Sequence, residues 1–76
     1  MTVKLVFLGK LADLAGAHEK HLPAPLDWNG LVAALGNALT GEKVKLALNG
    51  TVLADKTALL ANAGDEVALL PPVSGG

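Results

Sequence analysis

Asp27-Trp28-Asn29-Gly30-Leu31-Val32-Ala33-Ala34-Leu35-Gly36-Asn37-Ala38-Leu39-Thr40-Gly41 is the stretch on which the architecture turns. Trp28, Leu31, Val32, Leu35 and Leu39 recur every three or four residues, which places them along one side of an α-helix. Asp27 stands where a carboxylate accepts from the free N–H groups of a first helical turn. Thr40-Gly41 ends the element. Gly30 and Gly36 each cost such a helix roughly 1 kcal/mol relative to Ala. The expectation is that they let it lie close against a sheet.

On both sides of this helix the apolar period changes to two, the period of strands. Upstream, Val3 to Leu8 sets Val3, Leu5 and Phe7 against Lys4, Val6 and Leu8, with the first set toward the core. Lys10 to Ala15 then has one or two turns of helical character, closed by Gly16. Ala17 to Leu22 reads as a short strand, and Pro23 and Pro25 impose an extended connection. Downstream, Lys43 to Leu48 sets Val44, Leu46 and Leu48 against Lys43, Lys45 and Ala47. Asn49-Gly50 is a strong signal for a two-residue hairpin turn, with Thr51 to Leu53 as the return strand. Asp55 to Asn62 reads as a loop with a helical turn around Thr57 to Leu60. Gly64-Asp65 turns into a last strand, Glu66 to Leu70, which Pro71-Pro72 stops. One amphipathic helix can cover only one face of a sheet. The fold class is therefore α+β, a mixed sheet with one main helix packed on one face, in a single domain over 1–76 that ends in a tail over 71–76.

Composition removes several function classes. There is no Cys among the 76 residues, so disulfides, thiolate metal sites and cysteine nucleophiles are excluded. Six Lys, no Arg and seven acids leave a net charge of −1, and the aromatic content is 3%. With neither a basic stripe nor a stacking platform, nucleic acid is not an expected partner. Met1-Thr2-Val3-Lys4 carries no signal-peptide pattern and no apolar run reaches the roughly 18 residues of a membrane span. The expectation is a cytoplasmic protein without a membrane partner.

Conventional catalytic groups are sparse. Ser74 stands in the terminal tail with no scaffold to hold a base beside it. His18 and His21 lack a third ligand at recognisable spacing and read as surface residues. Asp65-Glu66 reads as a turn residue and then a solvated strand start. No phosphate loop or dinucleotide fingerprint is present. No bound cofactor or metal is expected.

The C-terminus reads differently. Pro71 and Pro72 favour a stiff, extended exit from the last strand. Val73-Ser74 come next, and Gly75-Gly76 give the narrowest cross-section a peptide end can have. Such an end can enter a channel and present its carboxylate to a buried site. A frayed terminus is the bland alternative for any isolated Gly-Gly.

Gly64-Asp65-Glu66-Val67-Ala68-Leu69-Leu70 with Pro71-Pro72-Val73-Ser74-Gly75-Gly76 resembles the end of molybdopterin synthase small subunits, the MoaD group of ubiquitin-like β-grasp proteins. Val6-Phe7-Leu8 with Leu11-Ala12-Asp13-Leu14-Ala15-Gly16 resembles the opening strand and short helix of that group. Leu31-Val32-Ala33-Ala34-Leu35 resembles its main helix, and Ala47-Leu48-Asn49-Gly50 its central strand and turn. Members often carry Arg in the short helix, where this chain has Lys10, Ala12 and Asp13.

The resemblance implies a β-grasp fold and a sulfur carrier whose reactive group is the Gly76 carboxylate. A ubiquitin-activating-like adenylyltransferase would adenylate Gly76 with ATP, and a sulfur donor would convert it to a thiocarboxylate. The tail, Pro71 to Gly75, would then enter the large synthase subunit, which supplies the catalytic residues of a heterotetramer, and pass sulfur to the pterin precursor of the molybdenum cofactor. Thiamine-pathway carriers and archaeal ubiquitin-like modifiers conjugated through a terminal glycine share these features, so both roles stay open. Opposite the core set, Val6, Leu8, Ala47, Ala68 and Leu70 read either as an apolar docking patch for these partners or as residues covered by loops.

Overall fold

The computed structural model describes residues 1–72. Five strands form one sheet: β1 (Thr2–Phe7), β2 (Glu19–Pro23), β4 (Lys45–Leu48), β5 (Thr51–Val52) and β7 (Glu66–Leu70). Their order is β2-β1-β7-β4-β5. β1 and β7 run parallel, and every other pair is antiparallel. The alternation in β1 and β7 is obeyed residue by residue. Val3, Leu5, Phe7, Val67 and Leu69 are buried on one face, where Leu46 of β4 joins them.

Helices α1 (Lys10–Ala15) and α2 (Trp28–Leu35) occupy the expected places. The Asp27 carboxylate accepts from the Gly30 amide at 2.8 Å and caps α2. Leu31 is fully buried and joins α2 to the core, while Trp28 and Leu35 pack against its margin.

The long helix expected from Asp27 to Leu39 is two. Gly36 has φ 81° and ψ 173°, and a separate turn, α3 (Asn37–Thr40), comes after it. A positive φ of that size is outside the helical range and falls to glycine. The Thr40 hydroxyl donates to the Gly36 carbonyl at 2.7 Å. Leu39 thus reaches the core from α3, in a new direction, and not as a further turn of α2. Neither glycine lies against the main sheet. Nothing stands within 4 Å of where a Cβ on Gly36 would be, and one on Gly30 would meet Asp27 and Leu26.

A second sheet, not expected from the sequence, pairs β3 (Leu26–Asp27) with β6 (Leu60–Ala61). Part of the expected loop at 55–62 is therefore ladder, preceded by a 3₁₀ turn at Lys56–Ala58. Two-residue strands have no periodicity to detect. β2 lies two residues later at its start than expected, because the Ala17 amide closes α1 by donating to the Ala12 carbonyl at 3.2 Å. Pro23 stays within β2, on the sheet edge where a missing N–H costs no ladder bond.

Two polar devices fix the chain before and after β4. The Lys56 ammonium donates to the carbonyls of Gly41, Glu42 and Val44 and stands 5.4 Å from the centre of the Trp28 ring. It gathers the loop between α3 and β4 against α2. Lys56→Met keeps the stem and leaves those carbonyls to water, and should cost about 1–3 kcal/mol in urea denaturation. Unchanged stability would show that the loop needs no cation.

The second device ties the β4–β5 turn to the start of β7. Asn49 donates to the Asp65 carboxylate at 3.2 Å and accepts from the Glu66 amide at 2.9 Å, and the Asn62 amide donates to Asp65 at 2.8 Å. The Asn62 amide first, and Asn49 second, hold the Asp65 carboxyl below its ordinary value. A depressed folded pKa stabilises the fold above the unfolded Asp pKa of about 3.9 and loses that contribution as pH falls through the folded pKa. Asp65→Asn should therefore flatten the acid limb of a stability–pH profile. An unaltered limb would place the acid sensitivity elsewhere.

Candidate functional site

Register assigns the outward residues of the sheet to rows. The first row is polar: His21 opposite Lys4, and Lys4 opposite Glu66. The second crosses the whole sheet as Glu19, Val6, Ala68, Ala47 and Val52. In the third, Leu70 lies opposite Lys45, and Leu8 continues β1 with its amide donating to the Leu69 carbonyl at 3.2 Å. Along β1 and β7 the uncovered face thus grades from charged to apolar toward the end from which the chain leaves β7, with Glu19 and Lys45 at the margins of the apolar rows.

The five residues expected on this face lie there, though not equally accessible. Leu8 is 41% exposed; Val6, Ala68 and Leu70 are partly buried. Ala47 is only 6% exposed, and this corrects its place in the expected accessible patch. A methyl group in the middle of a row, flanked by strands on both sides, is shielded by its neighbours. Val52, 52% exposed, lies outside the patch expected from the sequence. The signal for it was present: a two-residue turn at Asn49-Gly50 pairs Leu48 with Thr51 and so Ala47 with Val52.

Pro71 is partly buried at the end of β7 and Pro72 is exposed. Val73, Ser74, Gly75 and Gly76, to which the sequence assigns tail insertion and the reactive carboxylate, lie outside the described residues. His18 and His21 are both exposed, His18 in the bend before β2 and His21 within it. Among the described residues no three His, Asp or Glu side chains gather as a metal site requires. Asp65 is engaged in its turn by Asn49 and Asn62. No helix of the described residues is long and apolar enough to cross a membrane.

A five-stranded mixed sheet around a parallel β1–β7 pair, crossed on one face by one main helix, defines a ubiquitin-like β-grasp domain. Solved structures with this fold include small archaeal modifier protein 1 from Methanosarcina acetivorans, with a TM-score of 0.76 and 24% identity over 99% of this chain and 96% of that one. Small archaeal modifier protein 1 from Haloferax volcanii aligns with a TM-score of 0.71 and 26% identity over 100% of both chains. A chain of the complex between subunits 1 and 2 of molybdopterin-converting factor from Helicobacter pylori aligns with a TM-score of 0.70 and 28% identity, again over 100% of both. No curated protein sequence gives a significant match. The chain belongs to the ThiS family, whose model matches residues 5–76, and it has the fold of the ThiS/MoaD-type ubiquitin-like sulfur carriers.

Proposed function

We propose that this chain is the sulfur-carrier subunit of a molybdopterin synthase and that its C-terminal carboxylate at Gly76 is the reactive group. The observation that carries this reading is the continuity between the apolar rows of the open face and the chain's exit at Pro71-Pro72. A partner that covers Val6, Leu8, Ala68 and Leu70 stands beside the point at which Pro71-Pro72 leave the sheet. Membership of the ThiS family supports the carrier chemistry. Likeness over full length to a chain of the Helicobacter pylori subunit 1–subunit 2 complex supports a large-subunit partner.

The chemistry suits a chain without cysteine. The Gly76 carboxylate attacks the α-phosphate of ATP on the activating enzyme and releases pyrophosphate, giving an acyl-adenylate. A sulfide-level nucleophile then attacks the carbonyl carbon and expels AMP, leaving a thiocarboxylate. Its sulfur is a polarisable nucleophile that attacks a carbon of the pterin precursor and displaces an oxygen leaving group. Water then hydrolyses the resulting thioester, which leaves sulfur on the pterin and returns the Gly76 carboxylate. This chain supplies a reactive end on a docking surface, and the bond-making residues belong to its partners.

The likeness to Haloferax volcanii small archaeal modifier protein 1 supports a second reading, conjugation of Gly76 to lysines of other proteins. Intact-mass measurement after incubation with an activating enzyme, ATP and a sulfide source tests the first step. We expect the gain of one sulfur for one oxygen, lost on deletion of Gly76. No gain, with the enzyme active on another carrier, would refute the carrier reading. Gly-Gly remnants on cellular lysines would support the modifier, and genetic rescue of thiamine but not molybdenum-cofactor synthesis would move the carrier to the thiamine pathway.

A further inference from the structure

Parallel pairing brings the ends of β1 and β7 to one point. Phe7 lies opposite Leu69, and the next residues beyond Leu8 and Leu70 are Gly9 and Pro71. Gly9 has φ 56° and ψ −132°, backbone that is essentially reserved for glycine. A Cβ built on it would stand 3.3 Å from Pro71 Cγ, inside the roughly 3.5–4.0 Å at which carbon atoms pack best. The missing side chain at position 9 is therefore used twice. It lets the chain turn from β1 into α1, and it leaves the space against which the Pro71 ring rests.

The geometry points to Gly9 as a positioning residue for the C-terminal tail: by seating Pro71 it sets the direction in which the chain leaves β7. This rests on the reading of Gly76 as the reactive end. Pro71 and Pro72 each have φ fixed by the ring, which leaves only ψ at each to take up an angular change at Pro71. A Cβ at position 9 requires the Pro71 ring to give way by a few tenths of an ångström, which alters the direction in which Pro71 leaves β7. Gly9 acts through Pro71 and takes no part in bond making. Its loss should appear in the rate of the bound carrier, with docking by the outward face unaffected.

The experiment compares wild type, Gly9→Ala, Pro71→Gly and the double variant in thiocarboxylate formation by the activating enzyme, with thermal melts as a folding control. Misplacement of a reacting group by about 1 Å can cost on the order of 100-fold and the shift at Pro71 is smaller, so we expect kcat to fall about 3- to 10-fold in Gly9→Ala with KM unchanged. The double variant should be no slower than Pro71→Gly alone, since without the ring there is nothing to displace. Equal losses from Gly9→Ala in both backgrounds would mean that the glycine serves only its own backbone, and would overturn the proposal. Wild-type kcat in a folded Gly9→Ala would do the same. If Gly9→Ala does not fold, two results remain. NOEs between the Gly9 α-protons and the Pro71 ring are expected in the wild type, and Pro71→Gly alone should lower kcat at constant KM. Absence of either refutes the seat. A wild type that is never activated counts against the carrier reading instead, and the NOEs still judge the contact.

Discussion

On the sulfur-carrier reading proposed above, Leu70→Glu should lower the affinity for a synthase large subunit and for an activating enzyme by about 100-fold while the domain stays folded. Leu70 is partly buried on the open face and lies opposite Lys45. In the free protein the new carboxylate remains in water, and a cross-strand pair with Lys45 returns about 0.2–1 kcal/mol. On docking against an apolar surface the same carboxylate must leave water, and the weak cross-strand pair with Lys45 does not offset that loss. An unpaired charge in an interface costs about 2–5 kcal/mol, and a loss near 3 kcal/mol corresponds to about 100-fold in Kd. Calorimetric titration against each partner, with a thermal melt of the free variant, reads both halves. A variant that melts far below wild type would make Leu70 a core residue. A variant that binds normally would move the interface to another surface.

Leu31→Ala should be costly for folding, since Leu31 is wholly buried where α2 meets the sheet. Removing a buried leucine side chain typically costs about 2–5 kcal/mol, according to how far the site collapses around the cavity. Domains of this length have roughly 4–11 kcal/mol in total, so the variant should lose a large part of its stability. Each kcal/mol moves the thermal midpoint of so small a domain by about 4–8 °C. Leu35→Ala, at the partly buried end of the same helix, should cost less. Equal losses at the two positions, in urea denaturation at neutral pH, would show that α2 is held along its length and not anchored at Leu31.

Much of this fold is legible in the chain because its long elements carry strong periods. Val3, Leu5 and Phe7 alternate without exception, as do Val67 and Leu69, and all five are buried. Asp27 caps the helix that its position announces. Failures gather where local signals are short or ambiguous. Leu39 continues the helical spacing of Leu35, yet the chain bends at Gly36 between them. Leu26–Asp27 and Leu60–Ala61 form a ladder only because the fold brings together segments far apart in the chain. Ala47 has the right parity for an exposed patch and is nearly enclosed, whereas Val52 is open.

Residue order alone dictates the two-layer α+β class, the identity of the inner face, and the absence of any thiol from the chain. Those come from hydrophobic period, helix capping and the absence of cysteine, all local properties of the chain. Tertiary structure decided the order β2-β1-β7-β4-β5, the break at Gly36, the small second sheet, and the seat of Pro71 on Gly9. Each of these depends on which distant segments share an edge, and that choice is set by burial summed over the whole molecule and not by any one stretch of residues.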